Sequence, residues 1–482
     1  MKKRVCLVIL DGWGLRDRDE GNAIRQAKTP NFERLWHANP HAVLHASGEA
    51  MGLPKGQMGT SEIGHMTMGS GRIIFQDLPK ISQAIESGEF FTNSSINRLI
   101  GNIKQRNSTL HLLGLVSDGG VHSHYSHLFA LIKMAKDLGL KKVMVHAFTD
   151  GRDCSPRSGL GFIEDLERQA KVASVSGRYF AMDRDHNWER TDKAYRLLTR
   201  GQPSQTIASE IIRIRYAKKI TDEFIKPTRT KDFRPVKTGD GAIFFNFRND
   251  RPRQLLERFL EKGPKGVEWL TLTRYKPEYP VAVAFPPVEL NNSLGEILAR
   301  NKIKQLRVTE TEKFAHLTFF LNCKREEAFE GEDRIMIDSY SDIATHDEKP
   351  QMRAREITAE ILQAMREKTH EVIFANLCNA DMVGHTGNFP AIIKAVETID
   401  GCLGKLGAAA RENNYDLLIT ADHGNAEEPT TYHTINPVPF IIQSDRVDKI
   451  KVDEGGLVDI APTLLKLLEI NQPKEMTGES LV

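Results

Sequence analysis

VCLVILDG (5–12) is the stretch on which the fold turns. Val5 to Leu10 form an unbroken apolar run that stops at Asp11-Gly12. A run this short predicts a strand buried on both faces, as in a parallel sheet. Its carboxyl end presents an acid, and in open α/β sheets ligands gather beyond the carboxyl ends of strands. The same pattern recurs downstream. LHLLGLVS (110–117), VMVHAFTD (143–150), VASVSGR (172–178), AIFFNFR (242–248), HLTFFLN (316–322), EVIFANLC (371–378) and DLLITADHG (416–424) read as strands. Helical periodicity lies between them, over 127–139, 158–171, 204–218, 292–301, 354–368, 390–412 and 458–470. Thr29-Pro30-Asn31 before FERLW predicts a capped helix, and 48–72 an elaborate turn followed by a short helix. Such alternation predicts βαβ units and a largely parallel sheet.

The 482 residues leave room for about three domains, or two large ones. Pro286-Pro287 is a rigid break and a natural linker. Acids and histidines cluster toward both chain ends, while arginines crowd the middle. An economical arrangement joins 1–75 to 288–482 as one α/β domain, with 76–287 inserted as a second. The charge balance, 66 Lys and Arg against 64 Asp and Glu, gives +2 and speaks against a dedicated nucleic-acid binder. Cys6, Cys154, Cys323, Cys378 and Cys402 form no CxxC pair, which argues against a disulfide scaffold and for a reducing compartment. The apolar run at the start is shorter than a signal-peptide core, and no stretch is long enough to span a membrane. A soluble, cytoplasmic protein is expected.

Asp381 and His385 follow the strand at 371–378, Asp422 and His423 follow the next one, and His433 lies just beyond. With Asp11 they make a set of carboxylates and imidazoles suited to Mn²⁺, Zn²⁺ or Fe²⁺. A set of this size can hold a pair of metals that clamps a transferring phosphoryl group. For a single Asp-His pair, a turn acid beside a surface histidine is the simpler reading; repetition behind several strands favours metals. Ser61, in GQMGTSEIGHMTMGSGR (56–72), reads either as a helix N-cap or as a metal-activated nucleophile at a helix start. Walker A, GxGxxG-helix and GxSxG patterns are all lacking, which disfavours a kinase, a dinucleotide enzyme and an α/β-hydrolase.

His122, Arg152, Asp153, Arg178, Arg184, Arg190, Arg248 and Arg251 lie between these clusters. Read alone, RDHNWER (184–190) is a solvated charged loop. Arginines after apolar strands also grip a small dianion or carboxylate bidentately. Aromatic interleaving is too sparse for a polymer, so a phosphorylated, carboxylated metabolite fits better. By composition Lys313, in TETEKFAH (309–316), reads as solvent-exposed; beside a metal-bound serine it would orient phosphate.

VILDGWG (8–14), KGQMGTSEIGHMTMGSGR (55–72), SDGGVHSH (117–124), TDGRD (149–153), RYFAMDRDHNWER (178–190), NFRNDR (246–251), ETEKFAHLTFF (310–320), DMVGHTGN (381–388), TADHGNAE (420–427) and HTINPVPF (433–440) resemble, in order, the signatures of the cofactor-independent (2,3-bisphosphoglycerate-independent) phosphoglycerate mutase family. The end segments alone would also suit a simpler metallophosphatase; the middle ones separate this family from it.

The resemblance implies an alkaline-phosphatase-like α/β domain interrupted by an inserted α/β transferase domain. It implies one divalent metal on Asp381, His385 and His433, and a second on Asp11, Ser61, Asp422 and His423. Manganese is the usual metal in bacterial members. Ser61 matches the nucleophile that becomes phosphoserine. His122, Arg152, Asp153, Arg184, Arg190, Arg248, Arg251 and Lys313 match substrate-binding positions, with Asp153 as candidate acid-base. The implied reaction moves phosphate from 3-phosphoglycerate to Ser61 and returns it to the C2 hydroxyl, with domain closure excluding water. No added bisphosphoglycerate, nucleic acid or membrane is implied; the expected form is a cytoplasmic monomer, an isomerase of glycolysis and gluconeogenesis. Thr60 replaces the usual Asn, MTMGSGR (66–72) varies LNIGAGR, and Asn249 replaces Pro. A phosphatase or sulfatase, a phosphopentomutase-like enzyme and a catalytically silent metal-binding protein are the alternatives.

Overall fold

The computed structural model describes residues 3–482. The chain divides into two compact units, one formed by residues up to Phe75 with Glu289–Val482, the other by Gln76–Val288. Each is a sheet with helices packed on it.

Among the described residues, the first unit's sheet has eight strands, in the order Glu332–Ile337, Gln305–Glu310, Val372–Leu377, Val5–Leu10, Asp416–Thr420, Val438–Gln443, His41–His45 and Glu454–Gly456. Pairing is parallel from Glu332–Ile337 through Asp416–Thr420, and antiparallel on both sides of Val438–Gln443. Val5–Leu10 is buried throughout, as its apolar run requires. It lies between Val372–Leu377 and Asp416–Thr420 in a register that pairs Leu10 with Leu377 and Ile9 with Thr420. The carboxyl ends of these three strands therefore finish level, and the segments carrying Asp11, Asp381 and Asp422 leave the sheet at one edge.

The second unit repeats the plan. Its seven strands run Thr228–Arg229, Lys171–Gly177, Val143–Thr149, Leu110–Leu115, Gly241–Phe244, Glu268–Thr271 and Ala282–Val283 among the described residues. All pair in parallel except Thr228–Arg229, which is antiparallel to its neighbour. Alternate side chains feed opposite faces. Leu112, Val145, Val175 and Ile243 join one core, and Leu113, Phe148, Ala242 and Phe244 the other. Both faces are covered, which explains why these strands read as apolar runs rather than as alternating patterns.

The α/β architecture expected from the sequence is present, as two sheets. Several local expectations change. HLTFFLN (316–322) is not a strand: His316–Phe320 is a π-helical turn, closed by the Leu321 N–H donating to the His316 carbonyl at 3.0 Å. Its aromatic and β-branched composition favours a strand locally, but continuity with the Thr311–Ala315 helix overrides that preference. The strand read over 242–248 ends at Phe244. The helix start at 29–31 has Pro30 in its first turn, but the Thr29 side chain makes no capping hydrogen bond. His41–His45, Gln305–Glu310, Glu332–Ile337 and Val438–Gln443 are strands without a separate sequence expectation. Gln305–Glu310 carries Arg307 and Glu310 into the interior, which hides it from an apolar-run search.

Candidate metal centre and anion-binding cluster

Two groups of metal-ligand side chains converge at the carboxyl edge of the first unit's sheet. Asp381, His385 and His433 form one, and Asp11, Asp422 and His423 the other, each with ligand atoms within 4.8 Å of one another. Asp11 follows its strand directly. Asp381 lies on the short helix Asn379–Gly384 after the strand Val372–Leu377. Gly12 permits this proximity: its φ of +80° suits glycine, and a Cβ there would lie 2.6 Å from the Asp381 backbone.

In the first group, His385 Nε2 and His433 Nε2 lie 3.2 and 3.3 Å from Asp381 Oδ1, and 3.2 Å from each other. His385 Nδ1 is 2.8 Å from the Thr431 carbonyl, and His433 Nδ1 is 2.9 Å from the Gly59 carbonyl. Protons on both Nδ1 atoms satisfy those carbonyls and leave Nε2 lone pairs converging on a carboxylate oxygen. That is a donor set for a cation, with ring orientation fixed from behind. In the second group, His423 Nε2 is 3.6 Å from Asp11 Oδ1 and 3.7 Å from Asp422 Oδ2. Asp422 is fully buried; Oδ1 has no hydrogen-bond partner, and the nearest donor to Oδ2 is His65 Nδ1, 3.4 Å away and already 2.8 Å from the Ser61 carbonyl. A buried carboxylate so poorly supplied with donors is costly unless a cation meets it. Both groups therefore fit divalent metals.

Ser61 stands at the junction. Its Oγ is 2.9 Å from His423 Nε2 and 3.4 Å from Asp11 Oδ1. It opens the helix Ser61–Ser70 as the first helical residue, so the N-cap reading of Ser61 is corrected. Thr60 is the cap: its side-chain oxygen accepts from the Ile63 N–H at 3.4 Å, which leaves the Ser61 hydroxyl free for the centre. Lys313 is likewise not solvent-exposed. Only 4% accessible, it donates to Ser61 Oγ at 2.6 Å, Asp381 Oδ2 at 2.8 Å and Asp11 Oδ1 at 2.9 Å. Burial opposes its charge, but Asp11, Asp381 and Asp422 outweigh burial and hold the ammonium well above its usual range. Asp11 is pushed up by burial and by Asp422, whereas burial of Asp381 is outweighed by Lys313 and the histidines, which hold it low.

The second unit gathers its charged residues at the corresponding sheet edge. Asp150, at the end of Val143–Thr149, accepts from Ser117 Oγ at 2.6 Å, from the Arg152 and Asp153 N–H groups at 3.1 and 3.0 Å, and from Arg178 Nη1 at 2.6 Å. Arg178 also reaches Asp153 Oδ2 at 2.5 Å. His122 lies between two acids, with Nε2 3.9 Å from Asp153 and Nδ1 3.6 Å from Asp250. Burial and the Arg178 guanidinium depress its pKa to about 4, so the imidazole is neutral. Asp250 gathers Arg184 at 2.6 Å and Arg248 at 3.1 Å. Burial and the guanidinium groups of Arg178, Arg184 and Arg152 lower the pKa of Arg251, the signature of crowded positive charge. Arg190 pairs with Asp183 at 3.1 Å and stacks 3.9 Å from the Tyr179 ring centre. Asn249 accepts from Arg253 at 2.7 Å. This concentration of guanidinium groups, with internal carboxylates that aim them, suits a small carboxylated anion.

Sequence reasoning passed over the residues that hold these groups in place. Asn376 donates to Asp11 Oδ2 at 2.8 Å, and Asn425 to Asp381 Oδ1 at 3.3 Å. His65 Nδ1 lies 2.8 Å from the Ser61 carbonyl. Asp150 and Asp250 organise the arginines. Asp150 carried the available signal, an acid closing an apolar strand, in the same place as Asp11.

The metalloenzyme superfamily matches residues 3–472. A 2,3-bisphosphoglycerate-independent phosphoglycerate mutase from Moorella thermoacetica is 48% identical, over 100% of this chain and 99% of that protein. The 2,3-bisphosphoglycerate-independent phosphoglycerate mutase 1 of Methanosarcina barkeri is 49% identical, over 100% and 98%. The crystal structure of Leishmania mexicana phosphoglycerate mutase at low cobalt concentration aligns with a TM-score of 0.56 and 30% identity, covering 100% of this chain and 98% of that one. Likeness at this level along the whole length leaves no segment to a different ancestry, and the chain belongs to the 2,3-bisphosphoglycerate-independent phosphoglycerate mutase family.

Proposed function

We propose that this chain interconverts 3-phosphoglycerate and 2-phosphoglycerate through a phosphoserine on Ser61. The observation that carries the reading is the position of Ser61 Oγ, in contact with Lys313 and His423 where the two ligand groups meet. Asp381, His385 and His433 hold one divalent metal, and Asp11, Ser61, Asp422 and His423 the other. When bound, the metals lower the pKa of the serine hydroxyl and neutralise charge on the phosphoryl oxygens. Manganese is the metal we assign, on the resemblance to bacterial members of the family; oxygen and imidazole ligands without thiolate accept it, as they accept Zn²⁺ or Fe²⁺.

The chain's own groups do the rest. Ser61 Oγ attacks phosphorus, the bond to the glycerate oxygen breaks, and glycerate stays bound. The Lys313 ammonium donates to the serine oxygen and balances the charge of the arriving phosphate. Arg152, Arg184, Arg190, Arg248 and Arg251 hold the carboxylate while the molecule reorients. Asp153 accepts or supplies the hydroxyl proton, and neutral His122 lies 3.9 Å from it. The C2 hydroxyl oxygen then attacks the phosphoserine, which returns Ser61 to its free state. The first unit is thus the metal-binding, phosphatase-like domain and the second the substrate-binding, transferase domain. The five free cysteines support a cytoplasmic setting, and among the described residues no helix is long and apolar enough to cross a membrane. We assign a monomer with a small-molecule substrate.

The test is an enolase-coupled assay on chelator-stripped protein, with and without Mn²⁺ and with no added bisphosphoglycerate. Turnover is expected only after metal loading, and Ser61→Ala is expected to retain metal without forming phosphoenzyme. A metal-loaded wild type without turnover, or a near-normal Ser61→Ala, refutes the reading.

A further inference from the structure

The ligand-bearing segments are stitched together beneath the metal centre. Gly424 bridges Gly12 in parallel and Thr434 in antiparallel fashion. Asp11, His423 and His433 are each the immediate neighbour of one of these three residues. Glu427, fully buried, closes the junction. Its Oε2 accepts from the Gly14 and Asn425 N–H groups at 3.1 and 2.9 Å. Its Oε1 accepts from the Thr434 hydroxyl and from Asn436 Nδ2, the latter at 3.1 Å. A Cβ on Gly14 or Gly424 would collide with this carboxylate, so both segments pack directly on it.

We infer that Glu427 is a positioning residue that sets the relative places of the two ligand groups by hydrogen-bonding the segments that carry them. One carboxylate reaches the ligand-bearing segments of both groups: Gly14 three residues after Asp11, Asn425 two residues after His423, and Thr434 next to His433. Through Asn425 it also reaches Asp381, which accepts from the Asn425 side chain at 3.3 Å. Four donors converge on it, a demand that only an acceptor on both sides meets. The two on Oε2 are backbone N–H groups that cannot turn away. A glutamine at 427 must therefore keep its oxygen there and point its NH₂ at Thr434 and Asn436. Its disturbance falls on the His433 side.

This inference rests on the proposal that the two groups bind metals. The test uses the purified full chain, stripped with chelator and titrated with Co²⁺ alone, followed by visible absorption. Wild type is expected to take two ions, the step that involves His433 being identified as the one lost in His433→Ala. Glu427→Gln is expected to weaken that step by about 10-fold or more and to shift its absorption band. Thr434→Val, which removes one donor and leaves the carboxylate, is expected to weaken the same step less. At saturating metal, kcat of Glu427→Gln should fall while KM for phosphoglycerate stays within about threefold, since the anion-binding residues are untouched. If Glu427→Gln does not fold, Thr434→Val decides. Both Co²⁺ steps within twofold of wild type, with unchanged spectra, overturn the positioning role and leave the metal reading standing. A wild type that binds no Co²⁺ overturns both.

Discussion

Lys313 brings a positive charge into a buried position, where it is surrounded by Asp11, Asp381 and the Ser61 hydroxyl. Removing it strands two buried carboxylates and takes away the donor nearest the nucleophilic oxygen. Lys313→Met, of similar length without the ammonium, should lower kcat by about 100-fold or more, the usual cost of losing one preorganised donor at a site of developing charge. The coupled assay at saturating Mn²⁺ measures this, and a loss below tenfold would contradict the role. Composition alone reads Lys313 as a solvated residue in a charged stretch. Its partners lie 302 and 68 residues away in sequence, so nothing local betrays its burial. Asp11 is the opposite case: the apolar strand before it and the turn glycine after it mark its place from a single short stretch. What no local pattern could supply is the convergence of Asp11, Asp381 and Asp422, because that depends on strand order and register.

The helix Ser61–Ser70 shows how an element delivers a functional side chain. Thr60 caps it, Ser61 begins it, and the helix packs so closely that a Cβ on Gly69 would collide with the Leu321 carbonyl. Leu321 ends the π-helical turn that the sequence presents as a strand. The difference has a physical basis: Thr318, Phe319 and Phe320 favour a strand locally, while the turn continues the helix Thr311–Ala315, as i→i+5 turns mostly do. The cap is testable. Its hydrogen bond is long, at 3.4 Å, so Thr60→Ala should cost about 0.5–1 kcal/mol in urea unfolding. Thr60→Asn should match or exceed wild type, because Asn is at least as good a cap. A Thr60→Ala protein as stable as wild type, or a destabilised Thr60→Asn, would show that the cap does not anchor this helix. The departure at Thr60 thus keeps the capping chemistry.

For the whole molecule, near-neutral charge conceals a segregation, with carboxylates and imidazoles at one sheet edge and guanidinium groups at another. The largely parallel sheet architecture was legible because fully buried strands leave apolar runs; edge strands such as Thr228–Arg229, only two residues long, leave none. The same burial makes stability depend on pH. His127 is wholly inaccessible, with Nε2 3.0 Å from Ser82 Oγ, and it packs near Phe247 and His124. Burial, reinforced by His124, lowers its pKa from 6.5 to about 3. Below pH 6.5 the unfolded chain binds a proton that the native imidazole refuses. The stabilisation is therefore complete above pH 6.5 and is lost as the pH falls toward 3. The slope is about 1.4 kcal/mol per pH unit, or roughly 2 kcal/mol by pH 5. Other ionisable groups also contribute to the pH dependence, so the comparison must be internal. Unfolding free energies of wild type and His127→Gln, measured at pH 7 and pH 5 in chelator, isolate this one group. Whatever His127→Gln costs at pH 7, it should lose less stability than wild type on acidification, by about 2 kcal/mol. Parallel losses in the two proteins would mean that His127 is protonated in the native state at pH 5.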